Sequence, residues 1–233
     1  MRLDRFLAET TDLTRSLAKK ALHRGEVSVN GEVTKQAALH VAPADRVVWN
    51  GRPLSLVGLR YVMLHKPTEV ECSARRGLYP RAVDLIDLPK AERLQTVGRL
   101  DVDTTGLVLL TDDGQWSHRV TSPRRRCGKV YRATLAEPLE GEAMEAARAR
   151  VAEGILLEGE DKPTLPAELI MHGSRDAELT LYEGRYHQVR RMFAALGNRV
   201  IALHRESIGP LSLGSLGEGE WRELSQAEIE AFR

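Results

Sequence analysis

Gly98-Arg99-Leu100-Asp101-Val102-Asp103-Thr104-Thr105-Gly106, continued by Leu107-Val108-Leu109-Leu110-Thr111-Asp112-Asp113-Gly114, is the stretch around which the rest of the chain is arranged. Two glycines bracket a basic residue, two carboxylates and two hydroxyls, and an apolar run then closes on Asp113-Gly114. Glycine permits the turns that close such a loop, and Leu107 to Leu110 reads as a strand, so a polar loop is pinned between a turn and a strand.

Two short motifs fit parts of this stretch. Asp101-x-Asp103-x-Thr105-Gly106 with Asp112 downstream is similar to a calcium loop, in which oxygen ligands recur at alternate positions. The fit is poor: the last ligand should be a bidentate Glu, and a strand runs where the second helix would begin. Asp101-x-Asp103-x-Thr105 also resembles the nucleophile loop of haloacid-dehalogenase-type phosphatases. That loop follows a buried hydrophobic strand, whereas Gln95-Thr96-Val97-Gly98-Arg99 is mostly polar.

Working outward, 233 residues hold one domain of ordinary size and a small one, and 42% hydrophobic residues suffice for a packed core. No apolar run approaches a membrane span, and Met1-Arg2-Leu3-Asp4 leads straight into patterned sequence, so a cytosolic protein is expected. Cys72 and Cys127 belong to no Cys-x-x-Cys pair, the histidines form no His-x-x-x-His pattern, and no metal site is expected. Net charge is only +1, but it is unevenly spread. Residues 1–58 carry nine Lys/Arg against six Asp/Glu, and further cations cluster at Arg124, Arg125, Arg126, Lys129 and Arg132 and at Arg185, Arg190 and Arg191. Local basic patches on a neutral chain suit RNA contact, while a solvated surface with scattered ion pairs is the plainer reading of any single cluster.

Upstream, Leu3, Phe6 and Leu7 recur at helical spacing, as do Leu17, Ala18, Ala21 and Leu22 after Thr14, a candidate N-cap. Arg15 and Lys19, and Lys20 and Arg24, are four apart and present cations on the exposed side. Val27 and Val29 alternate as a strand, Asn30-Gly31 is a hairpin turn, and Val47 to Trp49 is a strand closed by Asn50-Gly51. Arg52 to Leu59 reads as a linker. Tyr61 to His65 is then a strand stopped at Lys66-Pro67, and residues 75–95 are polar and irregular, as a mobile segment would be.

Downstream, Gln115 to Val120 reads as a helix and Lys129 to Leu135 as a strand. Glu142 to Val151 is an amphipathic helix. Ile155 to Leu157, Glu168 to Met171 and Leu179 to Leu181 supply strands. In Glu183-Gly184-Arg185-Tyr186-His187-Gln188-Val189-Arg190-Arg191-Met192-Phe193, the apolar residues Val189, Met192, Phe193 and Leu196 fix a buried helical stripe capped by Gly197-Asn198. Arg190 lies at the edge of that stripe and calls for a carboxylate partner. Val200 to Arg205 gives a last long strand, and Glu220 to Leu224 with the acidic tail finishes the chain, ending in a short helix. Strands outnumber helices without alternating with them, so an antiparallel-rich α+β fold is expected, in domains 1–58 and 59–233.

The longest fit remains. Gly98-Arg99-Leu100-Asp101-x-Asp103-Thr104-Thr105-Gly106-Leu107, with Leu110-Thr111-Asp112-Asp113-Gly114 after it, resembles the catalytic motif of the pseudouridine synthases that act on ribosomal RNA. Trp116-Ser117-His118-Arg119 and Thr121-Ser122-Pro123-Arg124 draw the resemblance to the small-subunit branch, away from its large-subunit relatives. Arg2 to Leu7 and Gly25 to Val33 resemble the S4-like RNA-binding domain. The resemblance implies a small S4-like domain followed by a mixed, mainly antiparallel sheet with flanking helices and a cleft across its middle. It implies Asp101 as the catalytic carboxylate, Tyr131 as the ring against which the target uracil packs, Arg190 as the partner of Asp101, and Lys66 near the cleft or merely solvated at its strand end.

The chemistry so implied breaks the bond from ribose to N1, turns the uracil and rejoins it through C5, with no cofactor and no metal. A flipped-out uridine leaves a void, which Arg99 is placed to fill unless it simply holds a phosphate. Arg15, Lys19, Lys20, Arg124, Arg125 and Arg185 are the candidate RNA contacts. Asp103, with Thr104 and Thr105, is expected to hold the loop's shape through backbone N–H bonds. The expected partner is ribosomal RNA within a small-subunit assembly intermediate, engaged by a monomer. A non-catalytic assembly factor using the same surfaces is the alternative, though such a binder has no reason to carry a carboxylate inside a basic cleft.

Overall fold

The computed structural model of the chain describes residues 1–56 and 58–232. Two compact units, Met1–Gly58 and Leu59–Arg233, divide it.

In the first unit, helices α1 (Leu3–Thr10) and α2 (Arg15–His23) precede the strands β1 (Val27–Val29), β2 (Glu32–Val33), β3 (Val47–Trp49) and β4 (Arg52–Leu54). The periodic residues Leu3, Phe6, Leu7, Ala18, Ala21 and Leu22 are buried together against Val27 and Val47, and the Thr14 hydroxyl accepts the Leu17 N–H at 3.2 Å to cap α2. The strands lie in the order β2-β1-β3-β4, all neighbours antiparallel. Asn30-Gly31 and Asn50-Gly51 adopt left-handed φ values of 53° and 89°, and 48° and 77°, as tight two-residue hairpins require. Arg52 to Leu54, expected as linker, is a strand, because the second hairpin turn returns it onto β3. Val57, within the expected linker, lies outside the described residues.

The second unit is built on a nine-stranded sheet whose main path runs β13-β5-β7-β11-β8-β10-β9. Its strands are β5 (Tyr61–Lys66), β6 (Gln95–Val97), β7 (Thr104–Thr111), β8 (Lys129–Leu135), β9 (Glu168–Met171), β10 (Asp176–Leu181), β11 (Val200–Ile208), β12 (Leu211–Ser212) and β13 (Trp221–Glu223). Helices α3 (Gly114–Thr121), α4 (Gly141–Glu153), α5 (Gln188–Ala195) and α6 (Gln226–Glu230) flank it. One pair is parallel, β7 with β11, and the other paired strands run antiparallel.

Strand β7 is the centre. Leu107, Val108, Leu109 and Leu110 are all fully buried. Val108 and Leu110 enter one core, and Leu107 and Leu109 the other on the opposite face, so the unbroken apolar run is that of a strand covered on both sides. One edge of β7 is lined by β5. The other is shared, with Leu203 to Arg205 of β11 along its first residues and β6 along its last. The closing Asp113 caps α3 by accepting the Gln115 and Trp116 N–H groups at 3.0 Å.

Two strand assignments change. Ile155 to Leu157 is no strand: the N–H and carbonyl of Ile155 bond to the Thr164 side chain and N–H at 2.9 Å, which leaves no free ladder there. Conversely, Trp221 to Glu223 pairs with β5 and brings the end of the chain onto the sheet edge.

Candidate functional site

The loop of Asp101 is shaped before any ligand arrives. Gly98 turns it at φ 76°, buried Leu100 anchors it, and the Thr104 N–H closes it onto the Asp101 carbonyl at 3.1 Å. At its midpoint the Val102 carbonyl accepts the Glu69 N–H at 2.9 Å and the Lys66 ammonium at 3.4 Å. Lys66 is neither in the cleft nor in solvent. It is wholly buried, and its ammonium also donates to the Pro67 and Val70 carbonyls at 2.8 Å. Burial pushes its pKa down, against Cys72 and the carboxylates of Asp103 and Asp101, which raise it.

The loop forms one wall of a cleft of about 380 Å³, into which Arg99, Asp101, Tyr131, Arg185 and Arg190 all face. Asp101 and Tyr131 therefore line the same cleft, although they come from different strands. Asp101 leads into β7, and Tyr131 lies in the middle of β8 with 9% exposure. Arg99 is exposed at the edge, and Arg124 and Arg125 are exposed on a 3-10 turn, Pro123–Arg125, whose proline also lines the cleft. Arg15, Lys19 and Lys20 are exposed on α2 of the first unit.

Three expectations about the cleft need correction. Arg190 does not pair with Asp101: its Nη2 donates to Asp103 Oδ2 at 2.8 Å and its Nη1 to the Val200 carbonyl at 3.2 Å. Asp101 instead faces His187, whose Nε2 lies 3.3 Å from Oδ1. The cause is the start of α5. His187 is the N-cap residue, held at a left-handed φ of 46°, which turns its ring to Asp101, whereas Arg190 projects nearly a turn later toward Asp103. Asp103 in turn is largely exposed and partners Arg190, so it does not hold the loop through backbone N–H groups. Arg185 is taken up internally. Its guanidinium donates to Glu183 at 3.1 Å and to the carbonyls of Lys162 and Pro163 at 2.8 and 2.6 Å, which fastens the 158–164 segment to the helix start.

Four cleft residues escaped the sequence reading. His187 and Tyr186 lie within the 183–193 motif, whose pattern assigns them no role; their rings stack at 3.8 Å, and Tyr186 is 76% exposed. Lys129 reads in the sequence only as part of a basic cluster. Arg205, 2% exposed, reads in the sequence only as the end of a strand. Its signal is present, since Leu203-x-Arg205 places a cation among the inward positions that Val200, Leu203 and Ile208 otherwise fill with apolar side chains.

Comparison with known proteins follows the same outline. Residues 60–195 match the family described as RNA pseudouridylate synthase, and residues 1–47 match the S4 domain. "Ribosomal small subunit pseudouridine synthase A" of Pasteurella multocida is 52% identical over 100% of this chain and 99% of its own length. The protein of the same name from Haemophilus influenzae is 51% identical over 99% of this chain and 98% of its own. A solved structure described as "Crystal structure of pseudouridylate synthase" is 49% identical, with a TM-score of 0.70 and full coverage of both chains.

Proposed function

Because the chain belongs to the RNA pseudouridylate synthase family, we propose that it converts a uridine of small-subunit ribosomal RNA to pseudouridine, with Asp101 as the essential carboxylate. The observation that carries the residue assignment is that Asp101 and Tyr131 line one cleft together with several cations. The small-subunit assignment rests on the names of the full-length relatives.

In this reading the uridine leaves the RNA stack and enters the cleft, and its ring packs on Tyr131. Asp101, carried on a loop pinned at Leu100 and Val102, meets the ribose as the C1′–N1 bond breaks. The same carboxylate serves whether it bonds to the ribose carbon or takes a ribose proton. Arg99 stands where the extruded base leaves its gap, and Arg124 and Arg125 hold phosphates beside it. Arg190 buttresses the loop through Asp103. The first unit adds affinity through Arg15, Lys19 and Lys20, and a monomer acting on a partly assembled small subunit accommodates both units' contacts. Uridine and pseudouridine are isomers, so the residues of the cleft need no resident cofactor to balance the reaction.

The test is tritium release from small-subunit ribosomal RNA labelled at uracil C5, supplied naked and as assembly intermediates. The unmutated protein is expected to release label and Asp101→Asn to release none. Tight binding of both RNA forms without release by the unmutated protein would turn the assignment to a non-catalytic assembly factor.

A further inference from the structure

Arg205 plays no part in the scheme above, yet it is a buried guanidinium in the lining of the cleft. Its Nε donates to the Leu107 carbonyl at 2.8 Å and its Nη1 makes a long contact with the Tyr131 hydroxyl at 3.4 Å. Its Nη2 is buried with no partner. Among the described residues, no carboxylate lies within ion-pair distance of it. A guanidinium stays charged throughout the range of protein pH, and an unpaired charge is unfavourable in an interior.

Lys129 repeats the pattern. It stands two residues before Tyr131 on β8, so both side chains lie on one face of the strand. It is half-buried, and its ammonium has one long bond, to the Cys127 carbonyl at 3.4 Å. Burial pushes its pKa down, and the charge of Arg205 adds to that effect while Cys127 opposes it. Among the described residues, the floor around Tyr131 thus holds two cations with no ion-pair partner, and the nearby carboxylate, Asp101, is turned to His187. The exposed arginines of the rim already suit phosphate. A cation beneath a buried ring is placed for the base.

We propose that Lys129 and Arg205 stabilise the negative charge of the uracil while it is detached from the ribose. When the C1′–N1 bond breaks, its electron pair departs with the uracil and spreads over N1, O2 and O4, and Asp101 answers the electron deficit at the ribose. After the ring turns, C5 supplies a pair to form the C1′–C5 bond, the C5 proton is lost and N1 takes one up. Between these bonds the uracil is an anion held by nothing covalent. Cations already fixed at that place lower the barrier to its departure and keep it from escaping. Lys129 meets the anion. Arg205 is a positioning residue: it fixes the Tyr131 hydroxyl and adds its charge from below.

This inference rests on the isomerase reading, and the experiment separates the two. Small-subunit ribosomal RNA is transcribed with uridine or with 5-fluorouridine, in the RNA form that the unmutated protein accepts. Single-turnover formation of the C1′–C5 bond is then followed by mass spectrometry after digestion, as pseudouridine from uridine and, because a fluorinated C5 has no proton to lose, as the C5-linked 5-fluoro nucleoside hydrated at C6 from 5-fluorouridine. Fluorine draws electrons from the ring, so the detached base carries its charge with less help. Lys129→Met and Arg205→Met are expected to slow the uridine reaction about 100-fold and the 5-fluorouridine reaction about tenfold or less, with RNA affinity unchanged. Arg205→Lys, which keeps the charge, is expected to recover part of the uridine rate. Equal slowing of both substrates, as misfolding or a misplaced Tyr131 would give, overturns the proposal, and so does no slowing in Lys129→Met. Failure of the unmutated protein to convert uridine at all would remove the isomerase reading instead.

Discussion

Replacing Lys66 by methionine tests how the Asp101 loop is held. The ammonium is fully buried and donates to three carbonyls, those of Pro67, Val70 and Val102. The Val102 carbonyl keeps the Glu69 N–H, but the other two lose this donor. Leaving the buried Val70 acceptor and the part-buried Pro67 acceptor without this donor costs about 2–5 kcal/mol. Methionine escapes the desolvation of a buried charge, which offsets part of this and leaves a loss of about 2–4 kcal/mol. For a unit of this size that is a fall in Tm of about 5–15 °C, read by thermal denaturation of the whole chain. Turnover should fall as well, by about 10- to 100-fold, because the loosened carbonyl lies between Asp101 and Asp103 and a displacement near 1 Å is enough. Asp101→Asn is the control, expected to abolish turnover while keeping Tm. A Tm for Lys66→Met within about 1 °C of the unmutated protein would refute the argument that these bonds set the loop.

Three further outcomes are expected. Tyr186→Ala removes the exposed ring stacked on His187 at the cleft rim; if an RNA base stacks there, KM should rise about 5- to 100-fold with kcat little changed, and Tyr186→Phe should be silent. A double-mutant cycle should give less than about 1 kcal/mol of coupling between Arg190 and Asp103, because the carboxylate is largely exposed, and none between Arg190 and Asp101. Strong coupling of Arg190 to Asp101 would restore the pairing that the structure contradicts. Burial, and then the neighbouring His65, lower the pKa of His204 below the ordinary imidazole value. The unfolded chain therefore binds the proton more readily, so stability should be lost as pH falls from about 7 to about 5. His204→Gln should flatten that slope in urea titrations, and an unchanged slope would assign it to another group.

Local chemistry made the elements legible. The Asn-Gly turns at 30–31 and 50–51, the Thr14 cap and the Val189, Met192, Phe193 stripe each act within a few residues, and each reappears in the structure. Asp101 and Tyr131 were legible as a pair only through the family resemblance, since 30 positions separate them and nothing local joins β7 to β8. The partner of Arg190 was not legible. Helical periodicity put it at the edge of the core and required a carboxylate, but Asp101 and Asp103 both met that demand. The choice depended on His187 adopting a left-handed conformation, rare for a residue other than glycine, which periodicity does not reveal. Arg185 misled for the reverse reason: a cation in a motif reads as free for RNA, and its carbonyl partners at 162 and 163 come from a distant irregular segment.

Gly106 shows most clearly why a site of this kind resists a local reading. Within the opening stretch it reads as the glycine that ends a loop. In the fold it is a strand residue opposite Arg205 in the parallel pair, with φ 116°. A Cβ placed there would lie 2.3 Å from the Arg205 carbonyl oxygen, so any side chain would force β11 away. That close approach is what lets the Arg205 Nε reach the Leu107 carbonyl, and Arg205 is in turn the cross-strand partner of Tyr131 on β8. One missing side chain thus sets how near three strands lie, and with it the distance between the Asp101 wall and the cationic floor. The glycine that seems to close the loop is therefore a condition for the cleft having a floor at all.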